Sequence, residues 1–167
     1  MTRLQWKRWI SLLLAAILLT ALLSSCSGGS SQGDSLPGTS SASSYEAEVI
    51  RLVNKIRTEE GLPALTTNSS LSNAAALRAE EIVTLYSHTR PDGSSCFTVL
   101  PAFGISYRVA GENIAAGQPT PAAVVNAWMN SSGHRANILN PKFKSLGVGY
   151  VSGQGSYGHY WVQLFVG

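Results

Sequence analysis

The sequence predicts an α+β fold in which helices come first along the chain and a β-hairpin closes it. Three segments with helical periodicity lie between residues 45 and 132. Two alternating apolar segments follow, Leu146-Val148-Tyr150 and Val162-Leu164-Val166, with a glycine-rich turn at residues 153–158 between them. Helices followed by strands indicate separate α and β layers, whereas a doubly wound sheet would alternate the two. Residues 45–167 form one domain of ordinary size.

The first 25 residues have the organisation of a secretory signal peptide. Arg3, Lys7 and Arg8 form a basic start, and an apolar stretch of 14 residues, 10–23, follows them. A helix of that length rises about 21 Å, which is short of the roughly 30 Å hydrocarbon core of a bilayer. The pattern therefore predicts an exported protein and disfavours a permanent transmembrane helix.

The predicted signal peptide also accounts for the positive charge of the chain. The whole sequence has 12 basic and 9 acidic residues, and three of the basic ones lie in residues 1–25, which leaves nine of each sign. The remaining chain is neutral and has no run of like charges, so nucleic acid is excluded as a predicted partner.

Residues 27–44 are predicted to be a flexible linker. They include eight serines and four glycines among 18 residues. Such a segment buries too little apolar surface to offset the entropy lost on ordering. As a coil it would hold the domain on the order of 20–25 Å from its attachment point.

The first helix is predicted over residues 45–60, where apolar side chains recur at helical spacing. Ser43 with Glu46 fits a capping box, and Gly61 followed by Pro63 ends the helix.

The second helix is predicted over residues 70–86, and its alanines would allow close packing against a neighbour. A turn with Pro-Asp-Gly at its centre follows at residues 87–95. Thr120 and Pro121 are predicted as the N-cap and first residue of a third helix, which ends at Ser132-Gly133. Periodicity assigns no structure to residues 111–116.

Two histidines and a glutamate are the candidate site residues. His88 lies in SHTRPDG, Glu112 in GENI and His134 in NSSGHRANIL. Two imidazoles and one carboxylate are the minimum set for an open zinc site or for general acid–base chemistry. Spacing alone does not distinguish this from ordinary surface or capping histidines.

Other reactive side chains are predicted to be structural. Cys96 has no evident base beside it in the sequence and is predicted to be a buried or idle thiol. His159 is predicted to pack at a strand edge, and Trp128 and Trp161 to lie in the core. Asn137 either lines a cleft or caps its own turn.

These residues and their surroundings resemble the CAP superfamily, the cysteine-rich secretory, antigen 5 and pathogenesis-related proteins that share the SCP domain, and above all its bacterial branch. The resemblance rests on the segments VNKIR, SH, GENI, VNAWMNSSGHRANIL, LGVGY and YWVQLF, which appear here in family order between residue 53 and residue 165.

The resemblance implies a three-layer α–β–α sandwich over residues 45–167, with a central cleft lined by Glu112 and Asn137. It also implies that His88 and His134 hold a divalent metal such as zinc, with Glu112 orienting them or a bound water. Animal members have a second cleft glutamate one turn after the tryptophan, where this chain has Ser131. The four-residue site is therefore incomplete.

The sequence Leu23-Ser24-Ser25-Cys26 at the end of the apolar stretch resembles the bacterial lipobox. It implies that Cys26 is acylated and anchors the exported domain to the outer face of a membrane. The alternative is an ordinary signal peptide in which this cysteine is incidental.

Three functions remain open. The incomplete site and the lack of an evident nucleophile favour a non-enzymatic binding module for a lipid, a cell-wall component or a protein. The alternative is a metal-assisted hydrolase in which Glu112 is the base. The third is a surface adhesin or spacer with a vestigial cleft.

Overall fold

The computed structural model describes the backbone of residues 39–167 and the side chains of residues 45–167. The predicted signal peptide, Cys26 and the linker up to residue 38 lie outside the described residues. Helices and strands follow in the order α1 Thr39–Glu59, α2 Ser69–Thr84, a 3₁₀ turn Cys96–Thr98, α3 Val99–Ala102, β1 Ala110–Ala116, α4 Pro121–Met129, α5 Ser132–Ile138, β2 Ser145–Ser152 and β3 His159–Val166. Among the described helices, none combines the length and apolar character needed to span a membrane.

An antiparallel sheet in the order β1-β3-β2 forms the centre of the domain. Both β1 and β2 pair with β3, and β2 and β3 are the predicted C-terminal hairpin. Because side chains alternate across a strand, β3 supplies both faces of the sheet: Trp161 and Phe165 lie in one core cluster, and Val162 and Leu164 in the other.

Helices cover both faces of this sheet. Val49 and Val53 of α1 and Trp128 of α4 pack on the face of Trp161 and Phe165. The α2 residues on the opposite face include Leu71, Ala75 and Ile82. The predicted three-layer α–β–α sandwich is therefore confirmed, as is the burial of Trp128 and Trp161.

Two glycines let α2 lie directly on the sheet. Gly147 and Gly149 of β2 face α2, and a Cβ atom at either position would lie 2.3 Å from the Leu71 carbonyl oxygen or 2.1 Å from that of Ala75. These separations are far below van der Waals contact. The LGVGY segment thus combines the predicted apolar alternation on one face with a groove for the α2 backbone on the other.

The first helix begins earlier than predicted. It starts at Thr39 and not at residue 45, so the last six residues of the predicted linker are helical and Ser43 lies inside the helix. The capping-box prediction is therefore wrong, and the Glu46 carboxylate accepts a hydrogen bond from the Tyr150 N–H at 3.2 Å instead. Extension of an existing helix costs far less than nucleating one, so serines of modest propensity are added to its start.

The region around His134 also differs from the prediction. Thr120 caps α4 as predicted, and its side chain accepts a hydrogen bond from the Ala123 N–H. However, α4 ends at Met129, and Ser132-Gly133 begin the separate helix α5. Ser131 between them has extended backbone angles, with φ −102° and ψ 121°, which breaks the helix. His134 therefore lies within helix α5, beyond the predicted end of the preceding helix.

The unassigned GENIAA segment is strand β1. Five consecutive residues of β1 are buried, because helices cover both faces of the sheet. A strand buried on both faces has no alternation of apolar and polar residues, so periodicity could not detect it.

Candidate functional site

Glu112 is the centre of the candidate site. Strand β1 carries its side chain into the interior, where it is 1 % exposed. The Arg78 Nε–H on α2 donates to Glu112 Oε2 at 2.9 Å, and Arg78 Nη2 lies 3.4 Å from Oε1. A buried carboxylate is costly unless it is paired, and this bidentate contact supplies the partner.

His88 contacts the other side of this carboxylate. Its Nδ1 lies 2.7 Å from Glu112 Oε1. A carboxylate oxygen only accepts hydrogen bonds, so Nδ1 carries the hydrogen and Nε2 is the free nitrogen. The His88 side chain is 57 % exposed, so Nε2 is available to a ligand.

Cys96 is a third group on Glu112. The thiol is buried, as predicted, and its sulfur lies within 4.8 Å of a Glu112 carboxylate oxygen. Burial and the negative charge of Glu112 raise the pKa of Cys96 to about 12. The ligand atoms of His88, Cys96 and Glu112 all lie within 4.8 Å of one another, so this group has the geometry to hold a metal.

A partly buried charge network extends from the carboxylate through Arg78. Arg78 is fully buried and also donates to Glu81 Oε2 at 2.5 Å and to the Ser87 carbonyl at 2.9 Å. Arg90 donates to both oxygens of Glu81, with its shortest contact at 2.6 Å. Burial alone would raise the pKa of Glu81, but the hydrogen bonds from Arg90 and Arg78 hold it below its ordinary value. The network ties the turn that carries His88 to α2.

A set of amide hydrogen bonds attaches α5 to β1. Asn137 Nδ2 donates to the Glu112 carbonyl at 3.2 Å and to Asn113 Oδ1 at 2.8 Å. Asn113 Nδ2 donates in turn to the His134 carbonyl at 3.1 Å. Gly111 allows this approach, because a Cβ there would lie 3.1 Å from Asn137 Oδ1 and 2.7 Å from the Phe143 ring.

An open cleft of about 360 Å³ lies over these groups. Glu112 and Asn137, the two predicted cleft residues, are among the residues that line it. Polar or ionisable residues and small or aromatic residues both line the cleft. They are His88, Ser95, Cys96, Phe97, Ala110, Gly111, Glu112 and Asn137.

The two predicted metal-binding histidines occupy different positions in this site. His88 lines the cleft, whereas His134 is half-buried on α5 and lies outside the group formed by His88, Cys96 and Glu112. Burial and, secondarily, the charge of His88 lower the pKa of His134, so the two imidazoles interact electrostatically. Their pairing around one metal stays a prediction. His159 packs beside Tyr150, whose hydroxyl lies 2.7 Å from its Nδ1, as expected of a structural histidine.

The lowered pKa of His134 predicts a pH-dependent stability. Below about pH 6.5 the unfolded chain protonates this histidine more readily than the folded chain does, so the free energy of unfolding should fall as the pH is lowered. The His134→Asn variant should show a flatter decline between about pH 7 and pH 5. Urea unfolding with a chelator present measures both proteins, and parallel pH profiles would contradict the prediction.

Sequence reasoning missed Arg78, Glu81, Arg90 and the contact of Cys96 with Glu112. Arg78 and Glu81 lie on one face of a helix, at i and i+3, which usually signals a solvated ion pair. Only the packing of α2 on the sheet, against β2 and β3, buries Arg78. The single signal in the sequence was an arginine on the otherwise small and apolar inner side of α2.

Comparison with known proteins identifies the family. The sequence model of the cysteine-rich secretory protein family, CAP, matches residues 50–165. The Bacillus subtilis protein YkwD is 46 % identical over 130 residues, which is 77 % of this chain and 49 % of YkwD. The B. subtilis membrane protein YlbC is 32 % identical over 106 residues, or 62 % of this chain and 31 % of YlbC. The chain thus spans half or less of these relatives.

Solved structures show the same fold. A SCP-domain extracellular protein from Bacillus anthracis superposes with a TM-score of 0.70 at 28 % identity, covering 81 % of this chain and 45 % of that one. An outer surface protein from Borrelia burgdorferi has a TM-score of 0.64 at 22 % identity, covering 71 % of this chain and 88 % of that one. With the family match over residues 50–165, these findings show that the chain belongs to the CAP, or cysteine-rich secretory protein, family.

Proposed function

We propose that this chain is an exported, lipid-anchored CAP domain that binds a polar component of the cell envelope in the cleft over Glu112. A lipid and a protein are the alternative ligands for such a binding module. The single observation that carries the proposal is the state of Glu112, whose carboxylate is buried, paired with Arg78 and His88 and close to Cys96 beneath an open cleft.

Export is supported by the signal-like residues 1–25 and by two structural relatives, one described as an extracellular protein and the other as an outer surface protein. Lipid attachment is supported by the lipobox-like end of that segment at Cys26. In a bacterial host, the wild-type chain should incorporate a labelled fatty acid and sediment with membranes. The Cys26→Ser protein should be secreted without the label, which would support lipid attachment at Cys26. Equal labelling of the wild-type and Cys26→Ser proteins would contradict it.

The bonding of Glu112 favours binding over hydrolysis. A general base must reach the proton that it removes, directly or through one water. Here the Glu112 side chain is 1 % exposed and both of its oxygens have partners. The exposed His88 imidazole is instead the polar group that a ligand meets first.

The cleft lining favours a polar ligand. His88, Ser95 and Asn137 present imidazole, hydroxyl and amide groups. An acyl chain would remove these groups from water without replacing their hydrogen bonds, which costs free energy. A wall fragment with hydroxyl and amide groups supplies partners for them, so we propose a glycan–peptide component of the wall.

A divalent metal such as zinc belongs to the same proposal. The donor set fits, because imidazole and carboxylate groups are zinc ligands and His88 has an accessible nitrogen. In the arrangement that the family resemblance implies, His88 and His134 would hold the ion, and Glu112 would orient His88. Such an ion supplies a Lewis acid that polarises a bound group or activates water.

Isothermal titration with soluble wall fragments tests the proposal. Wild-type protein should bind saturably, and His88→Ala should weaken binding by about tenfold, because one to two kcal/mol is lost with a hydrogen bond. His159→Ala is the matched control, since His159 lies outside the cleft lining, and it should bind as wild type does. Unchanged binding by His88→Ala, or saturable binding only to phospholipid vesicles, would overturn the polar-ligand proposal.

The hydrolase alternative is separated in the same samples. Released fragments are counted with zinc and with a chelator. Turnover that is lost in Glu112→Gln would favour a metal-assisted hydrolase, whereas binding without fragment release supports the binding module.

A further inference from the structure

We infer that Cys96 completes a metal site with His88 and Glu112, and that the site selects ions that favour thiolate, such as zinc, over magnesium and calcium. This inference builds on the proposed zinc binding but assigns the ion a different set of ligands. It places the ion against β1 and the 3₁₀ turn, and not between His88 and the α5 histidine.

The three donors are already gathered in the fold. Their ligand atoms lie within 4.8 Å of one another. With metal–ligand bonds of about 2.0–2.3 Å, donors on one tetrahedral zinc lie roughly 3.3–3.8 Å apart. Cys96 and Glu112 are buried, and His88 is 57 % exposed with its Nδ1 already 2.7 Å from Glu112 Oε1. Shifts of about 1 Å would bring all three donors to zinc-binding separations.

Hydrogen atoms now occupy the place of the proposed ion. His88 Nδ1 donates to the Glu112 carboxylate, and the protonated Cys96 thiol lies within 4.8 Å of it. A divalent ion would replace both of these hydrogens. Starting from neutral His88, the thiol proton leaves to solvent and the imidazole proton moves from Nδ1 to Nε2. One proton is therefore released for each ion bound, and no electron is transferred.

Arg78 supports this arrangement from the opposite side. It holds Glu112 Oε2 through its Nε–H at 2.9 Å, which leaves Oε1 directed at His88. Hydrogen-bonded partners of this kind orient a ligand and stabilise a metal site. Glu81 forms ion pairs with both Arg78 and Arg90. The two arginines and the two glutamates of the network therefore balance in charge.

The chemistry of the donors defines the selectivity. Thiolate and imidazole favour zinc and similar ions, whereas magnesium and calcium require mostly oxygen ligands. This site offers one oxygen, one nitrogen and one sulfur ligand. The open cleft leaves a fourth position for water or a polar ligand.

The test uses the full chain with Cys26→Ser, so that Cys96 is the one remaining thiol. Cobalt(II) serves as the spectroscopic probe, because a cobalt–thiolate bond absorbs in the near ultraviolet. The protein should show this absorption at one ion per chain and keep it in excess magnesium. Zinc titrations in two buffers with different ionisation enthalpies should show release of one proton per ion.

Two variants decide which ligands are used. Cys96→Ser should abolish the thiolate absorption and proton release and weaken zinc binding by about tenfold or more, while His134→Ala leaves all three unchanged. Thermal unfolding confirms that each variant is folded, and Cys96→Ala is the second variant if serine disturbs the core. Zinc binding that is lost in His134→Ala but kept in Cys96→Ser would overturn this inference and support the paired histidines. No zinc binding by the parent protein would overturn both metal proposals, while the wall-fragment titration still tests the binding module separately.

Discussion

Replacement of Arg78 by alanine should lower the free energy of unfolding by about 3–5 kcal/mol, because it leaves two carboxylates without their buried cation. Arg78 is fully buried, and Glu112 and Glu81 both depend on it. The Ser87 carbonyl also loses its hydrogen-bond donor, so the turn before His88 is released. A loss of this size is a large fraction of the stability of a domain of this length.

Urea unfolding followed by circular dichroism measures the effect, with Arg51→Ala as the matched control. Arg51 forms an ion pair with Glu48 on the exposed face of α1, and its side chain is 60 % exposed. Exposed pairs contribute about 0–1 kcal/mol, so this variant should unfold nearly as wild type does. Arg78→Lys should be intermediate or worse, because an ammonium group cannot reproduce the fork of contacts. A loss below about 1 kcal/mol for Arg78→Ala would show that the network is not needed for stability.

Replacement of Gly149 by alanine should be the second severe change, with a loss of at least about 2 kcal/mol. The added Cβ would lie 2.1 Å from the Ala75 carbonyl oxygen, which belongs to the helix backbone and cannot rotate away. The helix α2 must therefore move off the sheet or the strand must bend. Arg78 lies one turn after Ala75, so the same displacement should also disturb the Arg78–Glu112 contact.

Gly133→Ala is the control for this substitution. Gly133 lies in α5, with no atom within 4 Å of the added Cβ and no positive φ. Alanine is a better helix former than glycine, so this variant should be unchanged or more stable by up to about 1 kcal/mol. Thermal and urea unfolding compare the two variants directly. Equal stability of Gly149→Ala and Gly133→Ala would refute the close packing of α2 on β2.

The stability of the sandwich and the properties of the cleft are therefore linked through α2. Gly147 and Gly149 determine how close this helix lies to the sheet, and Arg78 on the same helix holds Glu112. Glu112 in turn holds His88 and Cys96. A change in the packing of α2 should thus also change the positions of Glu112 and His88 in the cleft.

Local chemistry in the sequence was sufficient for much of the fold. Regular apolar spacing predicted α1, α2 and the β2–β3 hairpin, and a threonine before a proline predicted the start of α4. The start of α1 was wrong because a helix, once nucleated, extends through residues of modest propensity. Strand β1 was not assigned because burial on both faces removes the alternation that marks a strand.

The sequence by itself determined α1, α2, the start of α4 and the closing hairpin, because each depends on local spacing, and a family motif indicated Glu112, His88 and Asn137 as candidate site residues. Only the tertiary structure decided which groups meet at Glu112. Arg78, His88 and Cys96 are separated from it by 16 to 34 residues along the chain and converge because α2 packs on the sheet. The physical reason is that a buried carboxylate must find its partners, and those partners are selected by three-dimensional packing, which no local pattern of residues encodes.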